Sequence, residues 1–293
     1  MQQFITLTVA GVVQGAVFAA FALALVLIWR STRIVNFAQG SMATATTFVA
    51  LALVEAGWSY WLAVLVALAV GFVLGAVIER VVIRPVEGGP ELNAVIVTLG
   101  LFIAIQAAVA LSFGNDERAF PPPFGRVGFT VGGTNIALTP NNLYTLAGVL
   151  LTLVLLIVLF RFSRVGLAMR ASAFGQEVAR LLGVKVGRML TLGWALAAVV
   201  GAIAGVLIAG EGTSVTPTFM DALIVYGFVA AVLGGLDSPV GAVVGGVALG
   251  LLLGYVRGYL GDEVVSLAAL VILVVVLLVR PGGLFSSTKA RRA

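Results

Sequence analysis

Asn36, Gln39 and Ser41 crowd the start of one apolar stretch, and Thr98 and Gln106 sit on another. Asp237 and Ser238 interrupt a glycine-rich segment late in the chain. Amides, hydroxyls and a carboxylate at such places can hydrogen-bond a polar cargo, but they do not make a catalyst. The 293 residues contain no histidine and no cysteine. That removes the commonest zinc, haem and iron–sulfur ligands, the thiol nucleophile and the imidazole base. An intramembrane hydrolase or transferase would need a nucleophile or metal cluster at depth, and the chain offers neither. No Gly-x-x-x-x-Gly-Lys-[Ser/Thr] loop is present to cradle the phosphates of ATP.

The elements that must position these groups are membrane spans. Of the residues, 61% are hydrophobic and 10% charged, against about 45–50% and about 25% in soluble domains. So few charges cannot cover a core of this size in water. Apolar stretches near the ~20 residues that cross a bilayer run over 4–28, 38–54, 61–78, 92–111, 143–160, 189–209, 217–236, 240–255 and 264–279. The expectation is an all-α, polytopic transmembrane bundle of eight or nine spans. The uncertain pair is 217–236 and 240–255, separated by Asp237-Ser238-Pro239, which reads as two spans or as a span and a re-entrant turn. With alternating loops, only Arg118, Arg126 and Arg257 of the 17 Lys and Arg fall on one side. The other side, which includes Arg30, Arg33, Arg80, Arg84, Lys289, Arg291 and Arg292, is therefore cytoplasmic. The net charge of +5 marks topology, and nothing presents it as a nucleic-acid surface. Nine spans put the N-terminus outside, and one re-entrant segment would put it inside. The first segment lacks a basic leader and is followed by Arg30 and Arg33, so it reads as a retained span.

Two loops carry signal. The external loop, 112–142, holds Pro121-Pro122-Pro123 and alternating runs around Gly132-Gly133. It predicts a small β-hairpin, serving as a cap on the helix ends or as a docking surface. In the cytoplasmic loop, 161–188, Ser172 is placed to cap a helix whose Phe174, Val178, Leu181 and Leu182 share one face. Gln176, Glu177 and Arg180 take the other face, and Gly183 ends it. That helix either rests on lipid or offers a rigid knob to a cytoplasmic partner. Glycines at four-residue spacing (Gly11/Gly15, Gly71/Gly75, Gly201/Gly205, Gly241/Gly245, Gly246/Gly250/Gly254) predict close helix packing. The breaks at 36–40 and 234–241 are either turns or the interrupted helices with which transporters expose backbone dipoles. No span carries a deep unpaired charge of the kind that coupled carriers use. A self-contained carrier or channel is thus the weaker reading, and a transporter of this kind needs another subunit to drive it.

Four collinear motifs carry a resemblance. Ile34-Val-Asn-Phe-Ala-Gln-Gly-Ser-Met42, Gly166-Leu-Ala-Met-Arg-Ala with Glu177-Val-Ala-Arg-Leu-Leu-Gly-Val184, Ala230–Gly246, and Pro281-Gly-Gly-Leu-Phe285 resemble motifs of the branched-chain amino acid ABC importer permeases. The resemblance covers nearly the whole chain as one permease domain, 1–293. It implies a bacterial plasma-membrane (inner-membrane) subunit paired with a second permease as a heterodimer. Two cytoplasmic ATPase subunits would bind the ATP, and an extracytoplasmic binding protein would deliver cargo. The chain itself would bind no cofactor and catalyse no reaction. In that reading 172–183 is the coupling helix, with Phe174, Val178 and Leu182 in the ATPase groove and Gln176, Glu177 and Arg180 at its rim. Ser41 stands where the family commonly has Glu, and Asp237 where it has Gly. Branched-chain amino acids are the default cargo, with urea, short amides or other amino acids the alternative within the same family.

Overall fold

The computed structural model describes residues 2–131, 134–135 and 138–285. Helices α1 (Gln2–Thr32), α2 (Gln39–Glu55), α3 (Tyr60–Ile78) and α4 (Glu91–Phe113) form the first half. α3 runs on through a π-helical turn, Glu79–Ile83, and a 3₁₀ turn, Arg84–Val86. Between α4 and α5, β1 (Thr130–Val131) pairs antiparallel with β2 (Thr134–Asn135), and the expected turn residues Gly132 and Gly133 are not among the described residues. α5 (Pro140–Phe162), α6 (Arg164–Phe174) and α7 (Gln176–Leu181) lead to the second half. That half consists of α8 (Val186–Gly210), α9 (Asp221–Gly234), α10 (Pro239–Leu260) and α11 (Val265–Val279). Lys289, Arg291 and Arg292, counted above as cytoplasmic, also lie outside the described residues.

All nine apolar stretches are helical, but among the described residues seven are long and apolar enough to cross a membrane. α11 reaches that length together with the 3₁₀ turn Asp262–Val264 that leads into it; the two that fall short are α2, with 17 residues, and α9, with 14. At 1.5 Å per residue α9 spans about 21 Å, against a hydrocarbon core of about 30 Å. It starts at Asp221 rather than near Pro217 because the preceding chain is held extended. Val215 and Arg118 exchange both backbone hydrogen bonds, at 2.8 and 3.1 Å.

The short helices occupy matching places in two halves. α1 lies against α9 and α10 as α8 lies against α2 and α3. α2 contacts α3 and α4 as α9 contacts α10 and α11. The basic residues put the end of α1 and the start of α8 on the same side, so the halves run in opposite directions through the membrane. This is an inverted repeat. α1 packs on α8 between the halves and is the pillar of the molecule: Val17–Ile28 is almost wholly buried. The faces turned outward are apolar, as at Leu111, Val274 and Leu278, which suits contact with lipid.

Lipid tails provide no hydrophobic drive between helices, so contact must come from close backbone approach. The glycine spacing supplies it. A Cβ on Gly250 would lie 2.2 Å from Gly15 Cα, and one on Gly246 2.5 Å from Ala19 Cα. α3 approaches α8 in the same way, a Cβ on Gly75 falling 2.5 Å from the Trp194 carbonyl oxygen. We expect Gly250→Leu to lower unfolding stability in detergent by about 3 kcal/mol or more, since the neighbouring atom is backbone and cannot yield. Gly100→Leu, where nothing lies within 4 Å, is the control and should melt at or above the parent temperature.

Candidate translocation path and coupling surface

The segment 36–42 is a three-way junction. Asn36 Oδ1 accepts from the Ala38 amide at 3.0 Å, which turns the chain from α1 into α2. Its Nδ2 donates to Gln39 Oε1 at 3.1 Å, and Gln39 Nε2 donates to the Ala197 carbonyl on α8 at 3.0 Å. Both side chains are buried. Gly201 makes room for this crossing, because a Cβ there would lie 2.2 Å from Gln39 Nε2. One turn on, Gly205 does the same for Thr47. The Gly201/Gly205 pair, read above as backbone packing, thus receives polar side chains. Gly40 turns the other way, towards Ile224 of α9, so the two short helices meet there. Ser41 is buried and donates to the Ala38 carbonyl at 3.0 Å. Thr44, also buried on α2, has no hydrogen-bond partner for its hydroxyl among the described residues.

The other predicted path residues separate into two sites. Gln106 on α4 donates to both carboxylate oxygens of Asp221 at the start of α9, at 3.2 Å each. Thr98 is buried and donates to the Val95 carbonyl at 3.0 Å. Asp237 and Ser238 lie at the α9–α10 turn, beside the end of α1. Asp237 pairs with Arg33 at 2.5 Å, both side chains being more than half exposed, and Ser238 caps α10 through the Gly241 amide at 2.9 Å. Pro281–Phe285 completes the turn. The amides of Leu284 and Phe285 donate to the Leu233 and Gly234 carbonyls at 2.9 and 3.1 Å. They satisfy acceptors that the end of a helix leaves open.

The expected helix 172–183 is two helices. Ser172 is not a cap: it is buried within α6 and donates to the Ala168 carbonyl at 2.9 Å. The cap is Ser163, whose hydroxyl accepts from the Gly166 amide at 2.8 Å. Gly175 is extended and separates α6 from α7. The reason is physical: glycine is a poor interior helix residue, and the break lets Ala179 pack on Val186 and Leu190 of α8. The stop at Gly183 (φ +81°) is as expected. The Val184 amide reaches the Ala179 carbonyl at 2.9 Å and that of Gly183 reaches Arg180 at 3.0 Å, a Schellman ending. On this fixed base, Phe174 (93% exposed), Leu181 (87%), Leu182 (76%) and Val178 (60%) stand clear of the chain. Gln176 donates to Glu87 at 3.2 Å, while Glu177 and Arg180 are exposed.

Reading the sequence missed what lies beneath. Glu79, in the π-helical turn, is buried and bound by Arg84 through contacts of 2.9 and 3.0 Å. Arg84 continues to the Gly187 carbonyl at 2.6 Å and Thr191 at 2.8 Å, and Thr191 donates to Glu79 at 2.6 Å. The node fastens the end of α3 to the start of α8, directly behind α7. The only signal was an acid and an arginine five residues apart. At the far end of α8, Glu211 accepts from Asn141 (3.1 Å), Asn142 (2.7 Å) and Thr145. Arg126 donates twice to the Gly210 carbonyl, at 3.0 and 2.8 Å. The loop 112–142 is thereby laid over the start of α5 and the end of α8.

Removing one member of a buried pair strands the other charge, which costs about 3–5 kcal/mol. We expect Arg84→Met to destabilise the protein by that order in detergent unfolding. The double variant Glu79→Leu, Arg84→Met should recover much of the loss. A double variant no better than the single would show that Arg84 acts through Gly187 and Thr191 instead.

Residues 7–280 match the family model described as branched-chain amino acid transport system / permease component. The chain is 28% identical to the high-affinity branched-chain amino acid transport system permease protein LivH of Escherichia coli strain K12, over 96% of this chain and 95% of that protein. It is equally identical, with the same coverage, to the permease protein BraD of Pseudomonas aeruginosa. It is also 28% identical to the fructose import permease protein FruF of Bifidobacterium longum, over 73% of this chain and 61% of that protein. With a helical bundle carrying seven membrane-length helices and a family match spanning nearly its whole length, the chain is a multi-pass membrane protein that belongs to the family of branched-chain amino acid transport permease components.

Proposed function

We propose that the chain is one of two permease subunits of an ATP-driven importer and that its cargo is a branched-chain amino acid. The cytoplasmic knob carries the reading. Four large apolar side chains on α6 and α7 face away from the protein, yet their base is tied to α8 by Ala179, to the α3–α4 turn by Gln176, and to α3 by the Glu79–Arg84 node behind it. A lipid-seated helix would not need such bracing. A lever pushed by a moving partner does, because a loose lever absorbs the stroke. In this reading Phe174, Val178 and Leu182 enter a groove on an ATPase subunit, with Gln176, Glu177 and Arg180 at its rim and Gly183 setting the exit. Leu181 joins the apolar face.

Cargo passes beside α2 and α9, the two short helices at equivalent positions of the inverted repeat. Such helices are the places where transporters build their sites. Gln106 and Asp221, which bridge α4 to the start of α9, supply polar groups on the outer side. Asn36, Gln39, Ser41 and Thr98 set the junction on which α2 and α9 swing, and Asp237 with Ser238 forms the inner turn. Closure of the ATPases moves α7 and α8 together, and α8 carries Ala197, the acceptor for Gln39, with it. The stroke therefore reaches α2 through a hydrogen bond. ATP binding and hydrolysis belong to the partner subunits and cargo capture to an external binding protein. The permease brings no cofactor. The branched-chain assignment rests on the family and on the full-length relatives LivH and BraD.

Val178→Asp should insert and fold normally, its site being exposed, while ATP-dependent leucine uptake into reconstituted vesicles falls at least ~100-fold. A charge desolvated in the subunit contact costs several kcal/mol. Undiminished uptake would remove α7 from the contact. Unchanged coupling with uptake of another solute instead of leucine would correct the cargo alone.

A further inference from the structure

Arg30 and Arg161, at the ends of α1 and α5, and Arg170 on α6 line one apolar groove, and the carboxylate that acts on Arg30, Asp237, is engaged by Arg33. The ion pairs among the described residues are Arg33–Asp237, Arg84–Glu79, Arg118–Glu55 and Arg257–Asp262. Arg30, Arg161 and Arg170 take part in none of them. Arg30 is partly buried and sits over the ring of Phe160 at 5.4 Å. Arg161 lies over Phe162 at 5.8 Å. Ring faces compensate a guanidinium only weakly. Below the charges the groove runs along α1 to Leu23, with α5 on one side and the start of α10 on the other, and encloses about 280 Å³. From Arg30 to Leu23 the α1 wall falls about 10 Å towards the bilayer centre.

We infer that this groove binds one anionic phospholipid of the inner leaflet, its phosphate held by Arg30, Arg161 and Arg170 and an acyl chain lying between α5 and the start of α10, over the buried floor formed by α1. Charge at the cytoplasmic rim and an apolar trough beneath it match the polarity and orientation of such a lipid. Basic pockets between helices on the cytoplasmic side are suited to these head groups. A soluble anion would use the rim and leave the trough without a purpose. The bound phosphate supplies these arginines with the direct ion pair they lack among the described residues, and it bridges α1 to α6, next to the proposed coupling surface. The site stands whether or not α7 meets an ATPase.

The test is native mass spectrometry of the complex released from detergent, titrated with dioleoyl phosphatidylglycerol, dioleoyl phosphatidylcholine or inorganic phosphate. Phosphatidylglycerol should be retained, phosphatidylcholine should not, and millimolar phosphate should not displace the lipid. In Arg30→Gln, Arg170→Gln, retention should fall roughly thirtyfold. Ile157→Trp keeps every charge and narrows the groove, and should also lose the lipid, which covers the case in which the arginine variant folds poorly. Equal retention of the two lipids, displacement by phosphate alone, or undiminished retention in Ile157→Trp would overturn the assignment.

Discussion

Backbone contact between α1 and its neighbours is the constraint on which the molecule depends. In lipid, leucine against leucine gains nothing over leucine against an acyl chain, so helices associate where small residues let them touch. Gly15 against Gly250 and Ala19 against Gly246 bring α1 and α10 to that distance. Gly75 does it for α3 on α8. With α1 fixed in this way, α8 crosses it and the two halves of the inverted repeat are set. The two short helices then meet at Gly40 and Ile224. Gln39 and Thr47 can be buried there because Gly201 and Gly205 leave room for them and the Ala197 and Ala43 carbonyls accept their hydrogen bonds.

Much of this was legible in the chain. The nine apolar stretches are all helices, and the glycine spacing marks real interfaces. The end of the cytoplasmic helix at Gly183 follows from a residue that tolerates positive φ. The side-chain networks were not legible, since they join residues about a hundred positions apart. Glu79 reads as an acid near a span end, and only the fold shows that Arg84 and Thr191 meet it. Gly201 reads as one more packing glycine, and only the position of Gln39 shows what it makes room for. The helix expected over 172–183 failed because periodicity continues across Gly175 while the backbone does not. Local pattern could not register the advantage of turning Ala179 onto α8.

Function follows from the division between what is held and what is left open. The loop 112–142 is fastened by Arg126 and Glu211, and Asn36, Gln39 and Ser41 are hydrogen-bonded at the α2 junction. Two features stand out beside them: the apolar face of α6 and α7, and the three arginines that form no ion pair above the α1 groove. One suits a protein partner and the other a lipid. In the proposed function the chain contributes geometry, converting movement at α7 into movement of α2.

The absence of cysteine allows the central claim to be tested directly, because a single introduced thiol is unique. Phe174→Cys, labelled with a benzophenone in native membranes and irradiated, should cross-link to a cytoplasmic ATP-hydrolysing subunit, and nucleotide should change the yield. Cross-links to lipid alone, with or without nucleotide, would contradict the account and return α7 to the membrane surface.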